Sequence, residues 1–251
     1  RRLVGRRGAA SGVITVLAAP GTVLPGVGVV LDADELHHLR VRRVGAGETV
    51  RVLDGAGARA IGTLEPAGRD LVVQITSAEP VERPADLVLA VGAGDKDRFA
   101  RLAEQCTELG VTHLVPLDTE RSRHVESRIR DSHLDKLRKR AREACKQCGN
   151  PWATVIEPFA PLEVIARRHP QLRWFLADPG GHAMPAVAAD DGVAWAIGPE
   201  GGFTPGELEV LQGTLHAERV WLGPHILRFE SAAVAGAALT LDRRASGVGD
   251  R

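Results

Sequence analysis

The feature that most constrains the fold is a change of pattern near residue 80. Upstream, the chain is a series of short β-rich runs: Val29-Val30-Leu31, Thr49 to Leu53, Ala58 to Leu64 and Leu71 to Ile75. The turn-forming clusters Gly45-Ala46-Gly47, Asp54-Gly55-Ala56-Gly57 and Pro66-Ala67-Gly68 separate them. One helix, Asp34 to Val44, interrupts the series and carries His37, His38, Arg40, Arg42 and Arg43. This pattern predicts a small β-barrel over residues 1–78, with 1–28 poorly readable. Glu79-Pro80 to Arg83-Pro84 reads as a linker.

From Asp86 onward the pattern alternates. The apolar run Leu87 to Val91 leads into a helix with Phe99, Leu102, Ala103, Cys106 and Leu109 at helical spacing, stopped by Gly110. The run Val111 to Leu117 follows, so the order is strand, helix, strand, which specifies a parallel sheet. A second helix begins near Ser132 and places Leu134, Leu137, Ala141, Ala144, Cys145 and Cys148 on one face. Further strands are predicted at Trp174 to Ala177, Val193 to Ile197 and Arg219 to Leu222. Thr204, Pro205 and Glu207 spell the start of another helix: a cap, a proline at the first position and an acid three residues on. A small-residue helix from about Glu230 to Leu241 comes last. The expectation is a β-barrel followed by an α/β domain over residues 84–251.

Composition removes several classes of function. With 251 residues, 44% hydrophobic and 25% charged, the chain can bury a core and is not disordered. No apolar run reaches the roughly 18 residues of a membrane span. The apolar stretch Val13 to Ala19 is too short to span, and no clear cleavage pattern follows it. Three cysteines do not make a disulfide framework, and the chain reads as cytosolic. Aromatic residues are 4% and Tyr is absent, which argues against a base-stacking platform for single strands. Lys+Arg and Asp+Glu are equal at 32, yet the balance hides an asymmetry. Arg121 to Lys146 holds ten basic residues against four acidic ones, a local +6, so the other 225 residues sum to −6. Such a stretch suits a phosphate backbone, as does the cluster Arg40, Arg42, Arg43 with His38, although a solvated helix face fits it too.

Two segments invite a ligand. Gly198-Pro199-Glu200-Gly201-Gly202-Phe203 has three glycines and a proline in six positions, directly after an apolar strand and before a capped helix. Leu222-Gly223-Pro224-His225-Ile226-Leu227-Arg228-Phe229-Glu230 repeats the placement. Irregular loops leaving successive strands at their carboxyl ends form a cleft. Gly92-Ala93-Gly94-Asp95-Lys96-Asp97 begins like a dinucleotide fingerprint but has Asp97 at its third glycine position, so it reads as a joint capped by Asp95. No metal pattern is present: Cys145 to Cys148 has no second pair and no nearby His.

With these segments in hand, the chain resembles the RsmE family, the 16S ribosomal RNA uridine-N3 methyltransferases of the knotted SPOUT superfamily. The resemblance runs through His37-His38-Leu39-Arg40-Val41, Gly94-Asp95-Lys96, Thr107 to Val111, Pro116 with Glu120-Arg121-Ser122, Glu143-Ala144 with Gln147, Gly198 to Gly202, and Leu222-Gly223 through Glu230-Ser231-Ala232. His225 stands where that family usually has Arg, and Ala93 where Lys is common. The resemblance implies a PUA-like β-barrel, an α/β domain with a deep trefoil knot, S-adenosylmethionine (SAM) as methyl donor, no metal, and a homodimer through the C-terminal domain. It implies 16S ribosomal RNA, within the small ribosomal subunit, as substrate. SAM would be held by Leu176 to Asp178, by Gly198, Pro199, Glu200, Gly201 and Gly202, and by Leu222, Gly223, Ile226 and Leu227. For methylation of uridine N3, Arg228 is the candidate to stabilise charge on O2 and O4, and Glu230 or Glu200 to accept the proton. Capping would equally explain Glu200, and the helix dipole Glu230. His38, Arg40, Arg42, Arg43, Arg121 and Arg123 would grip RNA. The alternatives are a non-catalytic ribosome-assembly protein, or an enzyme of the same superfamily acting on another RNA atom or on tRNA.

Overall fold

The computed structural model describes residues 13–123 and 125–246. Contacts divide the chain into two units after Val81. Residues 1–12 of the poorly readable segment lie outside the described residues.

The first unit contains β1 (Thr15–Leu17), β2 (Gly28–Val30), α1 (Ala33–Arg42), β3 (Thr49–Leu53), β4 (Ala58–Ala67) and β5 (Asp70–Pro80). They form one five-stranded sheet in the order β1-β3-β4-β5-β2. Only the β1–β3 pair is parallel. Val16, Val29, Leu39, Val50, Val52, Leu64, Val73 and Ile75 build its core. Asp32 caps α1 by accepting the Glu35 N–H, and Arg43 closes the helix in the left-handed region at φ 56°. Two expected boundaries move. Of the turn cluster at Pro66, only Gly68 is in the turn, at φ 64°; Pro66 and Ala67 end β4, paired with Leu71 and Asp70. A proline is tolerated there because β3 pairs with β4 only as far as Thr63. Likewise Glu79 and Pro80 are not linker; they pair with Arg59 and Ala58.

The second unit has a six-stranded parallel sheet. Its strands are β6 (Leu87–Gly92), β7 (His113–Leu117), β8 (Val155–Ile156), β9 (Arg173–His182), β10 (Val193–Ile197) and β11 (Glu218–Val220), in the order β11-β9-β10-β6-β7-β8. The helices are α2 (Lys96–Leu109), α3 (Leu134–Cys148), α4 (Leu162–Arg168), α5 (Pro205–Glu209) and α6 (Phe229–Ser246). Because alternate residues of a strand face opposite ways, the fully buried strands supply two cores. Leu87, Leu89, Val91, Val193, Trp195 and Ile197 pack with α2, α3 and α6 on one side. Val88, Ala90, Ala194 and Ala196 pack with residues of α4 and α5 on the other.

The small residues of α6 face inward: Ala232, Ala233 and Ala237 are buried, and Gly236 lies against Trp195. The cap at Thr204 forms as expected, but α5 is a single turn that widens into a π turn at Val210–Thr214. Strand β11 stops at Val220 rather than Leu222, and Cys148 is exposed rather than on the core face. Gly149 ends α3 immediately after it, past the edge of the core. Among the described residues, no helix is long and apolar enough to cross a membrane.

Candidate active site

Residues 176–179 within β9, together with the loops that leave β10 and β11 on the same side of the parallel sheet, surround one cavity of about 520 Å³. Leu176, Asp178, Gly198, Pro199, Glu200, Gly202, Leu222, Gly223, Ile226 and Leu227 all line it. The volume and the apolar floor of Leu176, Ile197, Leu222 and Phe229 suit a nucleoside-sized ligand. Backbone crowding sets the loop geometry. A Cβ on Gly92 would lie 2.4 Å from the Pro199 nitrogen, so the end of β6 supports the 198–202 loop from beneath. That loop turns through Gly202 at φ 69°, whose N–H donates to the Pro199 carbonyl at 2.8 Å.

Gly201 is the exception among the expected cofactor residues. It does not line the cavity; its carbonyl accepts a 2.6 Å hydrogen bond from Arg121 Nη1. Arg121 therefore braces the loop from outside, and the structure brings this expected RNA contact to the cavity's rim. Arg123 lies along Asp118, with hydrogen bonds of 3.3 and 3.1 Å. In the first unit, Arg40, Arg42 and Arg43 are exposed, with Arg40 3.8 Å from Asp70, and His38 is half-buried. Part of the basic stretch is neutralised locally: Arg138 pairs with Asp135, Arg140 with Glu104 and Lys146 with Glu143.

Asp178 is held firmly. Arg219 grips it through Nε to Oδ2 (3.0 Å) and Nη2 to Oδ1 (2.9 Å), and the Gly180 N–H adds a 2.7 Å bond. The guanidinium keeps this carboxyl below the usual carboxylate range. The Arg219–Asp178 pair thus ties this part of β9 to β11 beside the cavity.

Arg228 and Phe229 lie on the cavity wall at the entrance to α6. Glu200 is 46% exposed and Glu230 20% exposed, and the two face a common cation. Arg98 of α2 reaches both, 3.8 Å from Glu200 Oε1 and 3.8 Å from Glu230 Oε1. The other Glu230 oxygen, Oε2, is enclosed and has no hydrogen-bond partner. No motif marks Arg98; the only sequence signal was its place in the first turn after the Asp95 cap. Spacing revealed Glu207 as the acid of the capping box, which forms, but not that its carboxylate also accepts the Glu120 N–H at 2.9 Å.

His113, Glu157 and His169 form the one cluster with metal-ligand chemistry among the described residues, their donor atoms within 4.8 Å of one another. These atoms already serve each other. His169 Nε2 is 2.8 Å from Glu157 Oε1, Arg168 donates to Glu157 Oε2 at 3.0 Å, and Arg83 lies 3.3 Å from His113 Nε2. Two guanidinium groups at the donors oppose a divalent ion, so this is an ion-pair network at the amino end of β7.

The α/β unit with its loop-walled cavity, preceded by a small sheet domain, defines a class: residues 81–241 match the model of the RNA methyltransferase domain, and the chain belongs to that family. Residues 31–75 match the RNA methyltransferase PUA domain. More particularly, the chain is similar to proteins named ribosomal RNA small subunit methyltransferase E. The one from Synechocystis is 28% identical, covering 89% of this chain and 75% of its own length. That from Mycobacterium bovis is 28% identical, covering 84% and 85%. A methyltransferase from Legionella pneumophila, solved with its bound cofactor SAM, superposes with a TM-score of 0.78 at 26% identity, covering 92% of this chain and 97% of the other.

Proposed function

We propose that this chain transfers a methyl group from SAM to N3 of a specific uridine in 16S ribosomal RNA. The observation that carries the reading is the cavity between β9 and the carboxyl ends of β10 and β11, walled by both glycine-containing loops in a chain of the RNA methyltransferase family. Relatives named for small-subunit ribosomal RNA, and a structural neighbour holding SAM, support substrate and donor.

In this reading the cofactor lies along the main chain of Leu176 to Asp178, Gly198 to Gly202 and Leu222 to Leu227. SAM supplies an activated methyl group, so the transfer needs no metal. Alignment of donor and acceptor provides much of the rate. Uridine N3–H is a weak acid, protonated at neutral pH, so the protein must accept its proton and stabilise the resulting anion. Arg228, at the cavity wall, offers the cation for O2 and O4. Glu230, one residue past the cavity wall, is favoured over the cavity-lining and more exposed Glu200 as acceptor for its unpartnered oxygen, which a turn of the side chain must bring into the cavity. N3 lies on the pairing edge, so the target must be unpaired or extruded. Arg40, Arg42 and Arg43, with His38, would hold the surrounding backbone from the PUA unit, and Arg121 and Arg123 from the catalytic unit.

A deep trefoil knot and a homodimer belong to the same reading. The insertion of β10 between β9 and β6 supports the knot. A hollow beside α6, lined by Met184, Trp221, Ala235, Leu239 and Arg243, supports the dimer. A ribosomal substrate puts the activity in the cytoplasm.

The test is methyl-labelled SAM incubated with small subunits from cells lacking the cognate modification, followed by nucleoside digestion. Label in 3-methyluridine of 16S RNA is the expected result. Label in another nucleoside moves the target atom. SAM binding without transfer moves the substrate, and no SAM binding overturns the reading.

A further inference from the structure

We propose that Arg98 is a positioning residue for methyl transfer, drawing the carboxylates of Glu230 and Glu200 together so that the enclosed Oε2 of Glu230 is left as the acceptor for the target's acidic N–H. The inference rests on the reading above and assigns a group to which neither sequence pattern nor family resemblance points.

Three features fix Arg98 at this junction. It lies in the first turn of α2, where its backbone N–H donates to Asp95 Oδ1 at 3.2 Å. The next residue, Phe99, is fully buried and stacks on Phe229 with ring centroids 5.7 Å apart. Phe229 is held from a second side, since a Cβ on Gly94 would come within 2.3 Å of its ring. The amino ends of α2 and α6 are thereby locked together, and Glu230 follows Phe229 directly. Only then does the guanidinium lie between both carboxylates, at 3.8 Å from each.

A single cation shared by two carboxylates serves two ends. It removes the repulsion that would otherwise turn Glu230 and Glu200 apart. By engaging Oε1 it also orients Glu230 so that Oε2 keeps its lone pairs unpaired. A buried acceptor without a partner is costly in the free protein and is relieved when a donor arrives. The N3–H of an extruded uridine is such a donor once the Glu230 side chain, 20% exposed and one residue past the cavity wall, pivots about the Arg98 contact to present Oε2. On proton transfer the N3–H bond breaks, its electron pair stays on N3 to attack the methyl carbon, and the proton passes to Oε2. The bond between the methyl group and the sulfonium breaks, leaving the neutral thioether.

The experiment compares wild type, Arg98→Ala, Arg98→Lys, Glu230→Gln and the Arg98→Ala/Glu230→Gln pair on small-subunit substrate. Arg98→Ala is expected to lower kcat by about 10- to 10²-fold, with the Kd for SAM within about twofold of wild type. Arg98→Lys should recover part of the loss, and added guanidinium should recover part of it in Arg98→Ala. The double variant should be no slower than Glu230→Gln alone, because Arg98 acts through that carboxylate. Additive losses, no recovery by either cation, or SAM affinity falling in step with rate would overturn the proposal. Should the wild-type chain methylate no RNA, the reading under Proposed function fails instead. The contact is then judged by the ¹⁵N resonance of Arg98 Nε: movement in Glu230→Gln supports it, and an unmoved resonance overturns it.

Discussion

Arg228 is exposed at the mouth of the cavity and has no acidic partner in the salt bridges of the described residues. A guanidinium so placed is available to charge that develops only during reaction. Arg228→Ala should therefore lower kcat by about 10²- to 10³-fold while leaving the SAM Kd unchanged, measured by single-turnover transfer and calorimetry. A second residue-scale prediction concerns pH. Burial pushes His113 below the ordinary imidazole value, with Glu157 and Asp86 pulling it back up and His169 and Arg83 adding to the lowering. The unfolded chain then binds more protons than the folded one over the window below about pH 6.5. Stability from the neutral ring is fully present above that window and is lost as pH falls through it. Urea unfolding from pH 7.5 to 5 should show this decline, and His113→Gln should flatten it; an equal slope in both proteins would exclude His113 as its source.

At the scale of elements, α6 illustrates how one close approach decides an outcome. A Cβ on Gly236 would meet the Trp195 ring at 2.9 Å, and that ring cannot yield because its Nε1–H is tied to Thr240 Oγ1 at 2.9 Å. Gly236→Ala gains about 1 kcal/mol of helix propensity. It loses about 1–3 kcal/mol to overpacking. The net expectation is destabilisation, read as a lower urea midpoint at unchanged m value. The same element shows what local signals could and could not say. Caps were legible because their partners lie within four residues: Asp95 with Arg98, Thr204 with Glu207, Gly110 at the end of α2. The row of small residues in α6 was legible too, but whether it faced a partner or its own core depended on Trp195, 41 residues away. The end of β11 escaped for a related reason. Its register breaks between Arg219 and Val220 against β9, a property of the ladder and not of the strand.

At the scale of the whole molecule, both cavity loops were found from glycine content and position after apolar strands. What remained hidden was the support around them. Arg121 meets Gly201 across 80 residues, and Glu120 meets Glu207 across 87. No spacing rule encodes such pairs. Arg98 reaches its carboxylates over comparable separations, so an amphipathic helix gave no hint of it. The charge asymmetry was readable, whereas its local pairing within α3 was not. A prediction at this scale follows from Arg40, Arg42 and Arg43, all exposed on one unit. Replacing the three with Ala should weaken RNA binding and reduce the slope of log affinity against log salt by about 2. An unchanged slope would remove these residues from the interface.

Strand β10 lies between β6 and β9, and pairs Val193 with Leu87 across the middle of the sheet. A chain emerging from the ribosome therefore completes β6 about a hundred residues before β10, the strand that joins it to β9, has been made. Until residues 193–197 arrive, β6 has one unsatisfied edge in fully apolar sequence, and β9, with its apolar Trp174, Phe175 and Leu176, has no neighbour. Closing the gap requires contacts of large sequence separation, which form slowly and leave unpaired edges open to aggregation meanwhile. The first unit, which ends at Val81, can form while the second is still waiting for its keystone. During synthesis, then, the edge of β6 is the part of the second unit most in need of shielding.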